Sequence, residues 1–392
     1  MKHRAVIFAA AFACLAMSAT AKAPDAPELD AAREEVRAIL AGDFIALNAG
    51  RMSLVDLADR TAALAAKESS PARSRVLQEG AFNLYLAAGA IDRAAERHVP
   101  FWINLGSDAE FEFAACPAGS FMMGCDGDPK SENFRHKVNI SRPFWIARLQ
   151  TTKRLYGTFR RVGKLSAEER LYGGADVPAG GLSRKEIDAF CDFLTDSNKS
   201  RIPEGYVFRL PTDAEWEYAL NAGCDDSSDP YVQFRNGGNA AAGEIAVTIG
   251  AVNAHRKANG LAPVRDGQGT VFKGGTRRPN AWGIYDMLGN GGEILFDTFT
   301  ADVKRRYGEG VFTPETSFDF GYAAEMTDPV RQSAAPKRLG MMRGAARYRR
   351  FAPRWYGRTV IDLSSHWGGH YTFRIVLAPE IPRERPGEGA KK

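Results

Sequence analysis

The chain is poor in cysteine, with five in 392 residues, and none follows Cys224. No two of them have metal-finger spacing, which excludes a zinc-finger module. Long apolar runs are also missing. A membrane-spanning helix takes about 20 apolar residues, and the longest candidate, Val6 to Met17, is too short. Neither sign of charge dominates. The net charge of +5 is modest for this length and gives no nucleic-acid footprint. Histidine is scarce, at six, and His98 is the only one between residues 28 and 98.

What is present begins with a targeting pattern. Lys2, His3 and Arg4 precede the short apolar run, and Ala19-Thr20-Ala21 offers a small-x-small cleavage site. This pattern predicts a signal peptide over 1–21 and a periplasmic or secreted product. Cleavage leaves Cys116, Cys125, Cys191 and Cys224. In an oxidising compartment that even number predicts two disulfides, with three pairings open.

Residues 28–98 have helical periodicity. Val36, Ile39 and Leu40 share a face, and Leu54, Leu57, Thr61, Leu64 and Ala65 recur after a Ser53 cap. Ser70-Pro71 starts a further helix, and Ile91 to Arg97 another. The segment is an extension of the next domain or a docking element for a protein partner. In the docking case, its deletion should leave the C-terminal domain folded. Past Pro100, short strand-like runs alternate with Gly, Pro, Asn and Asp: Phe111 to Ala114, Phe121 to Gly124, Phe144 to Ala147 and Tyr371 to Leu377. Two capped helices interrupt them, one at Ser183 with Glu186 and one at Thr212 with Glu215. In the second, Trp216, Ala219 and Leu220 fall on one face and Gly223 stops the helix. Residues 225–280 show little periodicity, and 383–392 form a charged tail predicted to be disordered.

Four blocks carry more than secondary structure. The first is Phe121-Met122-Met123-Gly124 with Glu132, His136, Val138 and Pro143-Phe144-Trp145-Ile146. The second is Arg209 to Leu220, "RLPTDAEWEYAL". The third is Pro279 to Asn290, "PNAWGIYDMLGN". The fourth is Met342-Arg343-Gly344-Ala345-Ala346 with Arg354, Arg358 and Tyr371-Thr372-Phe373-Arg374. Together they resemble the signatures of the formylglycine-generating, or sulfatase-modifying-factor, family over roughly 110–378. The resemblance implies an α+β, C-type-lectin-like, loop-rich domain, here preceded by the helical segment. The family includes copper-dependent formylglycine-generating oxidases, sulfoxide-synthase domains, pyoverdine-maturation enzymes and ligand-binding domains, so it fixes fold better than function.

The family's oxidase chemistry implies two thiols in the fourth block, because thiolate binds soft Cu(I). Ala345 to Pro353 contains none. The sulfoxide synthases' iron site implies histidines on an N-terminal bundle, and 28–98 has no His-x-x-x-His. His366 and His370 are four apart but separated by two glycines, which disfavours a shared helical face. The resemblance also implies structural calcium. One site would use Asn253, Ala254, Asp266 and Gln268. The other would use carbonyls of Leu288, Gly289 and Gly291 with the Glu293 carboxylate. Irregular loops rich in oxygen suit such a hard cation.

From Arg343 to Arg358 there are six arginines and no acid, interleaved with Tyr348, Phe351, Trp355 and Tyr356. Guanidinium forks bind carboxylate, sulfate or phosphate, and aromatic faces stack on rings. Arg347, Tyr348, Arg349, Arg350 and Trp355 are the ligand-binding candidates. Arg354, Arg358 and Arg374 read instead as braces paired with acids such as Glu215, Glu217 and Asp286. The expected function is an exported, non-catalytic protein binding an extended peptide or anionic ligand. The alternative is a periplasmic oxidoreductase with altered chemistry, similar to the pyoverdine-maturation enzymes.

Overall fold

A computed structural model describes residues 27–106, 108–124, 135–160, 174–223, 231–232, 242–247, 249–260, 262–263, 271–300, 325–330, 332, 338–344, 358–362 and 371–382. The described residues open with four helices, α1 (Pro27–Asn48), α2 (Leu54–Ala65), α3 (Pro71–Ala87) and α4 (Ile91–Glu96). The start signals read from the sequence do what they should. The Ser53 hydroxyl accepts from Asp56 N in a capping box, and Ser70 precedes Pro71 at the first turn of α3. Both devices satisfy backbone N–H groups that a helix start leaves open.

The central sheet has the order β1-β2-β5-β14-β6. Its strands are β1 (Phe101–Asn104), β2 (Glu110–Cys116), β5 (Phe144–Ala147), β14 (Val376–Pro379) and β6 (Tyr206–Arg209), and every pairing is antiparallel. The strand nearest the chain end therefore lies between strands from the first half. Side chains alternate across this sheet with period two. Phe113, Ala115, Trp145, Ala147 and Leu377 enter one apolar cluster, while Ala114, Cys116, Phe144, Ile146 and Val376 enter a second on the other face. Burial on both faces explains why these strands read as continuous apolar runs.

The first cluster joins the helical segment to the sheet. Phe82 of α3 lies 4.7 Å from the Phe101 ring and 5.5 Å, edge-on, from Trp145, and Trp145 Nε1 donates to Val99 O at 2.9 Å. Val36, Leu40, Leu57 and Tyr85 share this core with Phe113, Phe190 and Phe208. Of the two readings of this segment, the packing fits an extension of the next domain: the helices cover one face of the main sheet.

Among the described residues, two larger further sheets and a two-stranded one complete the curled, loop-rich α+β fold. One has the order β10-β4-β3 (Glu325–Thr327, His136–Ile140, Gly119–Met123), the other β12-β11-β9-β13 (Thr359–Asp362, Arg338–Arg343, Gly292–Thr300, Tyr371–Phe373). The run Tyr371 to Leu377, read as one strand, is two: β13 and β14 belong to different sheets, and Arg374 and Ile375 make the crossing. Residues 225–280, read as irregular, contain α8 (Ala242–Ile245), β7 (Ala246–Val247) and α9 (Ile249–Ala258), with β7 paired to β8 (Leu288–Gly289). Between β5 and β6 lie α5 (Lys153–Gly157) and α6 (Arg184–Asn198), the latter with the Ser183–Glu186 capping box.

The disulfide expectation is also corrected. Cys116 is a free, buried cysteine on β2, and every pairing of the four cysteines into two bridges needs it. It faces the second cluster, whereas Cys191 of α6 lies in the first, on the opposite face. Burial, with the Glu215 charge adding to it, pushes the Cys116 thiol pKa well up. Cys125 and Cys224 lie outside the described residues. Among the described residues, no helix is long and apolar enough to cross a membrane.

Candidate functional site

The site is built outward from α7 (Asp213–Asn221). Pro211 ends the run from β6, Thr212 Oγ1 accepts from Glu215 N at 3.1 Å, and the Glu215 carboxylate returns to Thr212 N at 2.9 Å. The helix ends on Ala222 in the left-handed region (φ 49°), one residue before the predicted stop at Gly223. The sequence gives this helix one buried face. The structure buries every residue from Asp213 to Leu220. Three acids in such a helix need partners, since a lone buried carboxylate is strongly disfavoured.

Each acid has one. Glu215 pairs bidentately with Arg209, both contacts at 2.7 Å. Asp213 receives Arg358 Nε at 2.7 Å and lies 3.3 Å from Arg343 Nε. Glu217 accepts from Gly124 N at 2.6 Å and from Arg343, and lies 3.8 Å from Arg358. The Arg343 guanidinium also sits over the Trp216 ring, 5.0 Å from its centroid. The predicted braces Arg358 and Arg374 are such braces. Asp213 is a partner that sequence reading missed, although its place at the helix start beside Thr212 marks it.

Trp216 links this network to a second one. Its Nε1 donates to Glu293 Oε2 at 2.8 Å. Glu293 also accepts from Arg374 at 3.0 and 2.8 Å and from Gln150 Nε2 at 3.0 Å. Arg374 donates further to the carbonyls of Ala147, Arg148 and Tyr285, each at 2.8 Å. Asn280 of the third block holds the other end of α7, donating to Ala219 O at 2.7 Å. Gly344 faces the same point. With φ +73° its backbone suits glycine, and a Cβ there would lie 2.8 Å from Met287 O and 3.2 Å from Trp216. All four sequence blocks thus converge on α7.

Arg347, Tyr348, Arg349, Arg350 and Trp355 lie outside the described residues, as do Arg354, His366 and His370. In sequence the arginines and aromatics among them stand between Arg343 and Arg358, both of which pair with Asp213.

The two calcium sites read from the sequence do not fare equally. Asp266 and Gln268 lie outside the described residues, and Asn253 and Ala254 are on α9, where backbone carbonyls point along the axis into helical bonds. At the second site, Leu288 and Gly289 form β8, the Gly291 carbonyl accepts from Gln150 at 3.1 Å, and Glu293 has donors on both oxygens. Glu293 therefore does not fit the cation role: Arg374 already neutralises it. Asp286 beside it fits better. It is 1% exposed with φ 54°, its Oδ2 accepts from Gly275 N at 2.7 Å, and its Oδ1 has no hydrogen-bond partner. Burial pushes its carboxyl pKa up, against the pull of Gly275 N–H and Arg374.

Fold and site together define a C-type-lectin-like α+β domain whose loops are braced from inside by buried ion pairs. The profile of the "Sulfatase-modifying factor enzyme 1-like domain" matches residues 107–348, and the chain belongs to that family. A search of curated proteins finds no match. Among solved structures it is similar to Treponema denticola variable protein 1, at 16% identity and a TM-score of 0.49 over 72% of this chain and 99% of that one. It is also similar to PvdO from Pseudomonas aeruginosa, at 21% identity and a TM-score of 0.43 over 71% and 97%. A third is CarF, at 17% and 0.44 over 69% and 99%.

Proposed function

We propose that the chain is an exported, non-catalytic member of this family that binds an extended peptide or anionic ligand through Arg347, Tyr348, Arg349, Arg350 and Trp355. One observation carries the reading. Arg343 and Arg358, at the ends of the arginine-rich segment, have buried acids as partners, while the segment between them contains arginines and aromatics but no acid. Interior arginines of that kind suit carboxylate or sulfate recognition. The absence of cysteine after Cys224 supports a role without thiol-based copper oxidation. A structural calcium ion is proposed at the Asp286 carboxylate, whose Oδ1 has no hydrogen-bond partner, and it would neutralise a buried negative charge there.

The test is a binding titration of the purified mature protein with an acidic peptide and with a sulfated oligosaccharide, in wild type and in the triple variant Arg347→Ala, Arg349→Ala, Arg350→Ala. Micromolar binding lost in the variant supports the reading. Conversion of a sulfatase-type cysteine peptide to formylglycine overturns it. Near-stoichiometric copper or iron in the purified protein would favour the oxidoreductase alternative.

A further inference from the structure

We infer that the outer face of α1 is a self-association surface, on which a second copy of this chain lays its own α1 antiparallel. The second half of the helix carries the observation. From Ala38 to Asn48 its one charged residue is Asp43, and that side chain is buried and paired with Arg60 Nε at 2.8 Å. Val36, Leu40, Phe44 and Leu47 face the core. On an ordinary surface helix the opposite side is polar. Here it carries Ala38, Ile39, Ala41, Gly42 and Ile45, with Ile39 48% and Ile45 64% exposed. A stretch of helix that is apolar all round belongs in a covered position, and among the described residues the outer side of this one is bare. The spacing is self-complementary. At about 100° per residue, Ile39 and Ile45 lie three positions and about 60° to either side of Gly42. A side chain at Gly42 would meet only open space. A two-fold axis at this glycine therefore sets each Ile39 against Ile45 of the partner subunit and lets the two backbones approach closely. Charge selects the antiparallel direction. Glu34 stands eight residues before Gly42 and Arg51 nine after it, and both are exposed. An antiparallel pair places each Glu34 beside the partner's Arg51, whereas a parallel pair places glutamate on glutamate. Glu34 already has Arg37 within its own chain, so the cross-pairs choose direction more than they add strength. One helix face per copy buries less than about 1,200 Å² in total, the range of weak complexes, so the dissociation constant should lie at roughly tens of micromolar. The contact does not depend on what the domain binds.

Sedimentation equilibrium of the purified protein tests it, over about 5 to 500 micromolar so as to bracket that constant. Wild type should pass from monomer to dimer across this range. Ile45→Glu places a charge at an exposed position, so it should melt as wild type does and raise the dissociation constant by about tenfold or more. Ile39→Glu should do the same. Met122→Glu is the control. It makes the same kind of change at an exposed apolar residue away from α1, on β3, and should leave the constant within about twofold of wild type. Direction is read from a charge swap. Glu34→Lys should weaken the dimer by about threefold, and adding Arg51→Glu should restore it, because each new lysine again faces an acid across the contact. A parallel pair would gain nothing from the swap. Wild type that stays monomeric throughout, or folded Ile45→Glu and Ile39→Glu that dimerise as wild type does, overturns the proposal. An equal loss in Met122→Glu removes α1 as the surface, and a Glu34→Lys loss that Arg51→Glu does not restore overturns the antiparallel arrangement.

Discussion

Glu293→Gln is the sharpest perturbation of the core. The substitution keeps shape and volume and removes one charge. Glu293 and Arg374 are each fully buried, and two of Arg374's five donated hydrogen bonds go to this carboxylate. Breaking a buried pair by removing one partner costs about 3–5 kcal/mol. The new amide can still accept on one oxygen from Trp216 or Arg374, but its NH2 group must face a donor, so no relief comes from that side. For a domain of this size each kcal/mol moves the melting temperature by about 2–4 °C. The variant should therefore melt about 10 °C lower, by circular dichroism and by tryptophan fluorescence. Adding Arg374→Met removes both charges, and the double variant should lose much less than the sum of the single losses. A Glu293→Gln loss below about 1 kcal/mol, or strict additivity in the double variant, would refute the view that this pair is a stability-critical brace.

Three further outcomes follow from the same geometry. Asp286 carries a pH dependence: its folded pKa lies above the unfolded value of 3.8, so the unfolded chain sheds its proton first and stability falls as pH rises through that window. Asp286→Asn should thus be nearly neutral in acid and increasingly stabilising relative to wild type towards neutral pH in EDTA, measured by urea titrations; calcium should raise the melting temperature of wild type but not of the variant. Phe82→Ala, which empties the helix–sheet contact with Phe101 and Trp145, should cost about 3–5 kcal/mol, and a chain lacking residues 27–98 should bind a hydrophobic dye and give no cooperative unfolding transition. Thr212→Ala removes the acceptor for Glu215 N and should cost about 1 kcal/mol, read as a denaturation midpoint shift with an unchanged slope.

The capped helices were legible because their signals are local. Ser183 with Glu186 and Thr212 with Glu215 satisfy backbone groups a few residues away, so spacing alone locates them. The braces Arg358 and Arg374 were legible as a class, since charges in apolar surroundings must be paired. Their partners were not, because Asp213 and Arg358 are 145 residues apart and no periodicity connects them. Gln150 was invisible for the same reason: its role comes only from the fold bringing β5's exit beside Glu293. The split of Tyr371 to Leu377 has a similar origin. Apolar alternation continues through it, yet the buried guanidinium of Arg374 must reach Glu293 and three carbonyls at once. The hydrogen-bond demand of that one side chain overrides strand propensity and sends the chain from one sheet to the other. The residues that unite the four blocks are therefore polar ones at long range, and local pattern carries the frame they brace.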